Sequence, residues 1–458
     1  MPDGGALFLA EFARLVKPRQ PLTIDAWADA HRRVSAESSG EPGPWRTDRV
    51  PFAREIMQEI SPQSLTEEVV LMASAQITKT EILLNAVGHC IDQDPCPMLV
   101  VYPTLETAEL WSKQRLTPMI RDTPVLAEKI PPARSRDSGN NTLLKLFPGG
   151  LVRMAGANSP ASLSQMPVKK ALFDEVDRYP ESAGEEGDPV ALGEARTQNF
   201  RRRKLVYAST PTIESLSRIA KRYKASDQRH YYVPCPHCNT HQVLDWDRFK
   251  WDEGKPDTAH FVCEAHGCVI DEVHKPNMLA AGQWRKHNPG SRIAGFWIWA
   301  AYSPIGLGLR WAEIARKFEE VKADPERRKV FDNTVRGVCF ADPNEKLDWE
   351  VIKSRAEAYS LRTVPAGCLI LTAGVDVQGN RLAVQIVGWG ANGQFWPGID
   401  WVELPGDPTK PEVWQALDDL LQRPLVNRFG VSLKISATAV DSGYLPDDVL
   451  RFTRPRGH

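Results

Sequence analysis

Between Glu67 and Ala208 the chain switches repeatedly between two hydrophobic periods. Val69-Val70-Leu71-Met72 and Met98-Leu99-Val100-Val101-Tyr102 are apolar runs of strand length, rich in β-branched residues. A run that is apolar on both pleat faces suits a strand covered on both sides. Thr80–Ile91 and Glu106–Ile120 carry helical spacing instead. Leu151–Ala155, Ala171–Phe173 and Leu205–Ala208 are further strand-like runs. Strands joined through helices must run parallel, so the expected fold class is α/β, with a parallel sheet over 60–225. Such a sheet gathers the carboxyl ends of its strands along one edge, where ligands bind.

That edge should hold the chemistry. Met72-Ala73-Ser74-Ala75-Gln76-Ile77-Thr78-Lys79-Thr80 follows the first strand and opens the first helix. Backbone N–H groups at a helix start cradle phosphate, a lysine neutralises it and a hydroxyl takes Mg²⁺. Lys79 and Thr80 fit those last two roles. Ala73 and Thr78 stand where a phosphate loop usually has glycine, and a left-handed Thr78 would cost roughly 1–2 kcal/mol. The alternative is a plain strand-to-helix turn with a surface lysine. Val168-Lys169-Lys170-Ala171-Leu172-Phe173 runs into Asp174-Glu175. There Asp174 would hold Mg²⁺ and Glu175 would polarise the attacking water of a phosphoryl transfer, the alternative being a solvated turn after an edge strand. This reading places Thr80 and Asp174 on adjacent strand ends. Ser209-Thr210-Pro211 follows the next strand, and its hydroxyls either sense the γ-phosphate or cap a helix before Ile213.

At 458 residues the chain exceeds one ordinary core. The expected parts are an N-terminal helical and irregular segment (1–59), with helical spacing at Phe8–Val16, a P-loop-like ATPase domain (60–225), a zinc-ribbon-like insertion (226–275), an aromatic-rich connector (276–364) and a C-terminal domain (365–458). The formal net charge of -1 excludes a global basic footprint, so any nucleic-acid contact must be local. Arg201-Arg202-Arg203-Lys204 is one such patch, or a basic surface turn. No secretion signal or membrane-spanning run is evident, and the expected location is intracellular. Cys235-Pro236-His237-Cys238 and Cys263-Glu264-Ala265-His266-Gly267-Cys268 form two knuckles that can complete a zinc tetrahedron, with His266 an alternative to Cys268 and free thiols the bland reading.

After Pro365 the pattern changes again. Leu369–Val377, Arg381–Gly390 and Phe395–Leu404 read as three hairpin-linked strands, Pro411–Leu421 as a helix and Ile435–Val440 as a fourth strand. This is the order of a ribonuclease-H-like core, where carboxylates on adjacent strands bind metal for phosphodiester hydrolysis. Asp376 and Asp441 stand at the right strand ends. The usual further helix with another carboxylate is not read before His458, so an incomplete nuclease with little metal-dependent cleavage is expected.

Taken in order, the loop Ser74–Glu81, Tyr102-Pro103-Thr104, Leu172-Phe173-Asp174-Glu175, Ser209-Thr210-Pro211, Pro234–Cys238, Tyr302-Ser303-Pro304 and Gly374-Val375-Asp376 resemble the large terminase subunit of tailed bacteriophages, of the GpA type. The resemblance implies ATP-driven translocation of double-stranded DNA into a procapsid and a nuclease that cuts concatemeric DNA. It implies ATP contacts at Ser74, Gln76, Thr78, Lys79 and Thr80, with Mg²⁺ at Thr80 and Asp174. It makes Glu175 the base, Ser209-Thr210 the coupling motif, and Asp376 and Asp441 the ligands of nuclease Mg²⁺ or Mn²⁺. It also implies a small terminase subunit, a portal on which copies assemble as a homo-oligomer, and the host bacterial cytoplasm. Two rivals stand beside it: a superfamily-2-like helicase with a zinc ribbon, and an inactive prophage-remnant protein that binds DNA without turnover.

Overall fold

The computed structural model describes residues 21–37, 39–130, 139–340, 359–427 and 429–456. The spacing at Phe8–Val16 and part of the 276–364 connector lie outside them. The chain divides into two compact units, Met1–Glu345 and Lys346–His458.

In the first unit each apolar run is a strand of one ten-stranded sheet. In chain order these are β1 (Glu68–Ala73), β2 (Pro97–Tyr102), β3 (Leu144–Phe147), β4 (Gly150–Gly156), β5 (Lys170–Asp174), β6 (Lys204–Ser209), β7 (Arg229–Pro234) and β8 (His241–Val243). After a small three-stranded sheet, β9 (Phe249–Asp252), β10 (Lys255–Val262) and β11 (Val269–Ile270), come β12 (Gln283–Lys286) and β13 (Ala294–Ile298). The order across the large sheet is β8-β7-β13-β1-β6-β5-β2-β4-β3, with β12 paired to β7. From β7 across to β4 every pairing is parallel. All residues of β5 and β6 are buried, as expected for strands covered on both faces.

Two expectations are corrected by this order. Strands β1 and β5 are not adjacent, because β6 lies between them. The sheet also does not end near residue 225. The stretch read as connector supplies β13, which pairs with β1 from Ala294↔Val69 to Ile298↔Ala73. Its aromatic residues pack in the core because they belong to a central strand.

The N-terminal segment docks on the sheet through helix contacts. Helices α1 (Ile24–His31) and α2 (Ala53–Ile60) precede α3 (Lys79–Asp92). A glycine inside a helix costs roughly 0.5–1 kcal/mol against alanine. Gly88 sits in α3 because a Cβ there would stand 2.2 Å from the Trp27 ring. Trp27 is fully buried, and its Nε1–H donates to Asp92 Oδ2 at 2.9 Å. This fixes the following segment, 39–50, over the start of α3. Further along, α4 (Leu105–Trp111) opens with a Thr104 capping box and runs into a π-helical turn, Ser112–Leu116. Helix α5 (Arg218–Ala225) follows β6.

In the second unit, β14 (Cys368–Gln378), β15 (Arg381–Gly390), β16 (Phe395–Pro405) and β19 (Ile435–Val440) form a sheet in the order β16-β15-β14-β19. The short strands β17 (Leu425–Val426) and β18 (Ser432–Leu433) pair with each other. β14 is antiparallel to β15 and parallel to β19, with helix α6 (Pro411–Gln422) between β16 and β19. This is the ribonuclease-H-like arrangement read from the sequence, with one correction: a further helix, Pro446–Thr453, follows β19 where none is expected, with Asp447 and Asp448 in its first turn and Val449 and Phe452 packed into the core. Ala373, Val375 and Val377 alternate inward against Trp414 and Leu417, which leaves Asp376 on the open face. No helix among the described residues is long and apolar enough to cross a membrane.

Candidate nucleotide site

Ser74 to Thr78 join β1 to α3 at the carboxyl edge of the sheet. Thr78 takes the left-handed conformation, φ 73° and ψ 2°, and Gln76 has φ 53°. Thr78 therefore occupies glycine's region while keeping its Cβ, at a cost of roughly 1–2 kcal/mol. The loop is braced from behind. Ser74 N–H donates to Ile298 O at 3.1 Å and Ala75 N–H to Thr334 O at 2.8 Å. Gly337, at φ 61°, lies so close that a Cβ would stand 2.7 Å from Ser74 N.

The acids reach this loop across β6. Asp174 ends β5, and Glu175 turns out of it at φ 56°, its N–H donating to Ala208 O at 2.7 Å. Such strained residues persist where their surroundings hold them, and they gather at functional sites. Lys79 is 5% exposed, and its Nζ donates to Thr210 Oγ1 at 2.7 Å and Ser74 O at 3.0 Å. The same Nζ is 3.5 Å from Glu175 Oε1. Lys79, Glu175 and Thr210 thus meet from three different strand ends. No helix starts at Ile213, and Ser217 is the N-cap of α5, so Ser209 and Thr210 are not caps.

Burial sets the electrostatics. It pushes the Lys79 amine down, against the opposing pull of Glu175 and Asp174. Burial first and the Glu175 charge second raise Asp174 from 3.8 to about 7. Ser74 Oγ, Asp174 Oδ1 and Glu175 Oε2 are buried without a hydrogen-bond partner in the protein. Buried polar atoms normally have partners. The Ser74 hydroxyl can donate to a phosphate oxygen, and the two carboxylate oxygens can take a cation or a water.

Above the loop is a cavity of about 860 Å³, bounded by Gln76, Thr78, Lys79, Thr80, Glu175 and Thr210. Trp45 and Arg46 of the N-terminal segment, Arg115 of the π-helical turn and Arg178 complete its wall. Sequence reasoning misses these four. Pro42-Gly43-Pro44-Trp45 reads locally as a helix breaker, and only the docking of α1 on α3 brings it to the loop. The unusual turn around Arg115 carries no sequence signal, although π-turns favour functional sites.

The four Sγ atoms of Cys235, Cys238, Cys263 and Cys268 lie within 4.8 Å of one another, and His266 is not in that group. Such a thiol set fits a tetrahedral metal. The first knuckle springs from β7 and β8 of the large sheet, so the cysteine module is an insertion built onto that sheet. In the second unit Val375 pairs with Val440, which sets Asp376 and Asp441 at neighbouring strand ends. Asp376 Oδ2 accepts from Gln378 Nε2 at 2.7 Å, and Asp441 Oδ1 from Gly443 N–H at 2.9 Å. The basic run 201–204 is partly spent inside. Lys204 is buried with its Nζ on the carbonyls of Glu59, Ser64 and Thr66, and Arg203 Nε lies 3.4 Å from Glu67 Oε2.

Comparison with known proteins shows the family of the chain. The model of the phage terminase large subunit gpA ATPase domain matches residues 39–284, and that of the gpA endonuclease domain matches 293–458. The large terminase subunit of Enterobacteria phage P21 is 30% identical over 466 residues, covering 96% of this chain and 71% of that protein. The lambda large subunit is 28% identical over 467 residues with the same coverage. Among solved structures, the large terminase of a thermophilic bacteriophage matches at 13% identity and a TM-score of 0.37, over 90% of this chain and 81% of that one. The helicase alternative is not favoured, since an endonuclease match occupies the place of a second motor domain. The chain belongs to the GpA family of phage terminase large subunits, with an ATPase domain followed by an endonuclease domain.

Proposed function

We propose that the cavity over Ser74–Thr80 binds ATP with Mg²⁺, and that its hydrolysis drives double-stranded DNA into a procapsid. The observation that supports this most is the meeting of Glu175 and Thr210 at the buried Lys79 amine. Thr80 and Asp174 would hold magnesium, which would supply charge neutralisation on the phosphates. Backbone amides at the start of α3 and Lys79 hold the phosphate oxygens. Glu175 orients and polarises the attacking water. Thr210, bonded to Lys79, senses whether that lysine is drawn away, and with Ser209 couples hydrolysis to movement. Ser74, Gln76 and Thr78 shape the loop, and Trp45 bounds the cavity with an aromatic wall.

The four cysteines hold a structural Zn²⁺, a closed site with no open position for catalysis. Asp376 and Asp441 hold Mg²⁺ or Mn²⁺ for DNA cleavage. The working partners are DNA, a small terminase subunit and a portal on which copies of the chain form a homo-oligomer, in the host bacterial cytoplasm. Lys79→Ala tests the nucleotide site. Titration with a fluorescent ATP analogue should show affinity reduced at least about tenfold, as for loss of a buried charge-assisted contact. Affinity equal to the parent would reject the assignment.

A further inference from the structure

Two residues beyond Glu175 stands Asp177, which has no part in the steps above. Its Oδ2 accepts from Thr212 Oγ1 at 3.0 Å and from Ser217 Oγ at 2.6 Å, and its Oδ1 from Ile219 N–H at 2.7 Å. Its own N–H donates to Ser209 Oγ at 3.3 Å. One carboxylate therefore joins the turn Val176–Arg178 to the strand end at Ser209–Thr212 and to the first residues of α5. Arg218 grips the same turn, with Nη1 donating to Tyr179 O at 3.1 Å and Nη2 to Pro180 O at 2.9 Å.

This bracing matters because of what the turn carries. Glu175 is its N-cap and sits at φ 56°, ψ 48°. A residue with a Cβ keeps that conformation only where neighbours over-determine it. Released, the peptide would relax toward the ordinary right-handed or extended regions and swing the Glu175 carboxylate from its place 3.5 Å from Lys79 Nζ. A displacement of about 1 Å in a catalytic group can lower a rate on the order of a hundredfold.

We propose that Asp177 is a positioning residue for ATP hydrolysis, holding the Glu175 carboxylate in place by fixing its strained turn to Thr212, Ser217 and Ile219. The inference rests on the assignment of Glu175 as the base. The test is steady-state ATP hydrolysis by the full chain. Asp177→Asn keeps the shape but replaces one accepting oxygen with an amide that can only donate. Its kcat should fall about ten- to a hundredfold with KM for ATP within about twofold, the signature of an interaction acting on the transition state. Thr212→Val removes one of the three donors and should lower kcat by about threefold. It carries the test if Asp177→Asn does not fold. Placed on Glu175→Gln, Asp177→Asn should lower the residual rate no further, because both act through one group. Parental kcat in Asp177→Asn or Thr212→Val, with Glu175→Gln inactive, overturns the positioning role alone. So does an Asp177→Asn loss that multiplies onto Glu175→Gln. Parental hydrolysis by Glu175→Gln instead overturns the assignment of the base, and the inference with it.

Discussion

Thr78→Gly should stabilise the protein. Thr78 holds φ 73° and ψ 2°, and its side chain makes no capping hydrogen bond to α3. Nothing polar is lost with the hydroxyl. Relief of the left-handed strain contributes roughly 1–2 kcal/mol. Against it stands the greater freedom of glycine in the unfolded chain, about 0.5–1 kcal/mol. The net is a gain of about 0.5–1 kcal/mol, or a rise of roughly 1–3 °C in the midpoint of the first thermal transition. Thr78→Ala is the control, since alanine keeps the Cβ that causes the strain and should bring no comparable rise. The assay is thermal unfolding of the three proteins without nucleotide, with ATP titration alongside. The glycine variant should bind ATP at least as tightly as the parent, because the loop already has the shape that glycine prefers. A lower midpoint for Thr78→Gly, or an equal rise for Thr78→Ala, would refute the argument from strain.

Two further outcomes follow from burial and from thiol geometry. Burial lowers His89 from 6.5 to about 4, its Nε2 is 2.7 Å from Leu22 O and its Nδ1 has no partner. The unfolded chain takes up this proton near pH 6.5 while the folded chain refuses it until about pH 4. Stability is therefore full above about pH 6.5 and falls as pH drops through that window, by at most on the order of 3 kcal/mol. Denaturant midpoints from pH 7 to 4 should fall less steeply in His89→Gln than in the parent, and parallel profiles would contradict the assignment. Elemental analysis of purified protein should find about one zinc per chain, and much less in Cys235→Ser. A metal-free parent would end the zinc proposal.

Much of the scaffold is legible because it is written locally. Buried parallel strands need continuous apolar runs, so Val69–Met72 and Met98–Tyr102 predict β1 and β2 within a residue or two. The C-terminal strands are set off by Gly and Asn turns, and Arg381–Gly390 and Ile435–Val440 match the observed bounds. The place of Lys79 and Thr80 at the start of α3 is legible because a strand-to-helix turn is contiguous in sequence. Strand order is not, since it depends on pairings between distant residues that leave no periodic trace. Hence sequence reasoning misses the position of β6 between β1 and β5, and β13 reads as a connector although its residues are as apolar as those of β1. The same limit hides the cavity wall at Trp45 and Arg46, which depends on Trp27 packing over Gly88. Asp177 is hidden for a different reason. Its partners Thr212, Ser217 and Ile219 lie on another element, and an acid in a turn reads as solvated until those contacts are seen.

The central claim is that this chain hydrolyses ATP at the site formed by Lys79, Asp174 and Glu175. The most direct measurement is ATP binding and hydrolysis by Glu175→Gln beside the parent. The amide is close in shape but cannot act as a base, so hydrolysis should fall by about a hundredfold or more while ATP affinity stays within a few-fold. Hydrolysis by Glu175→Gln at the parental rate would contradict the account.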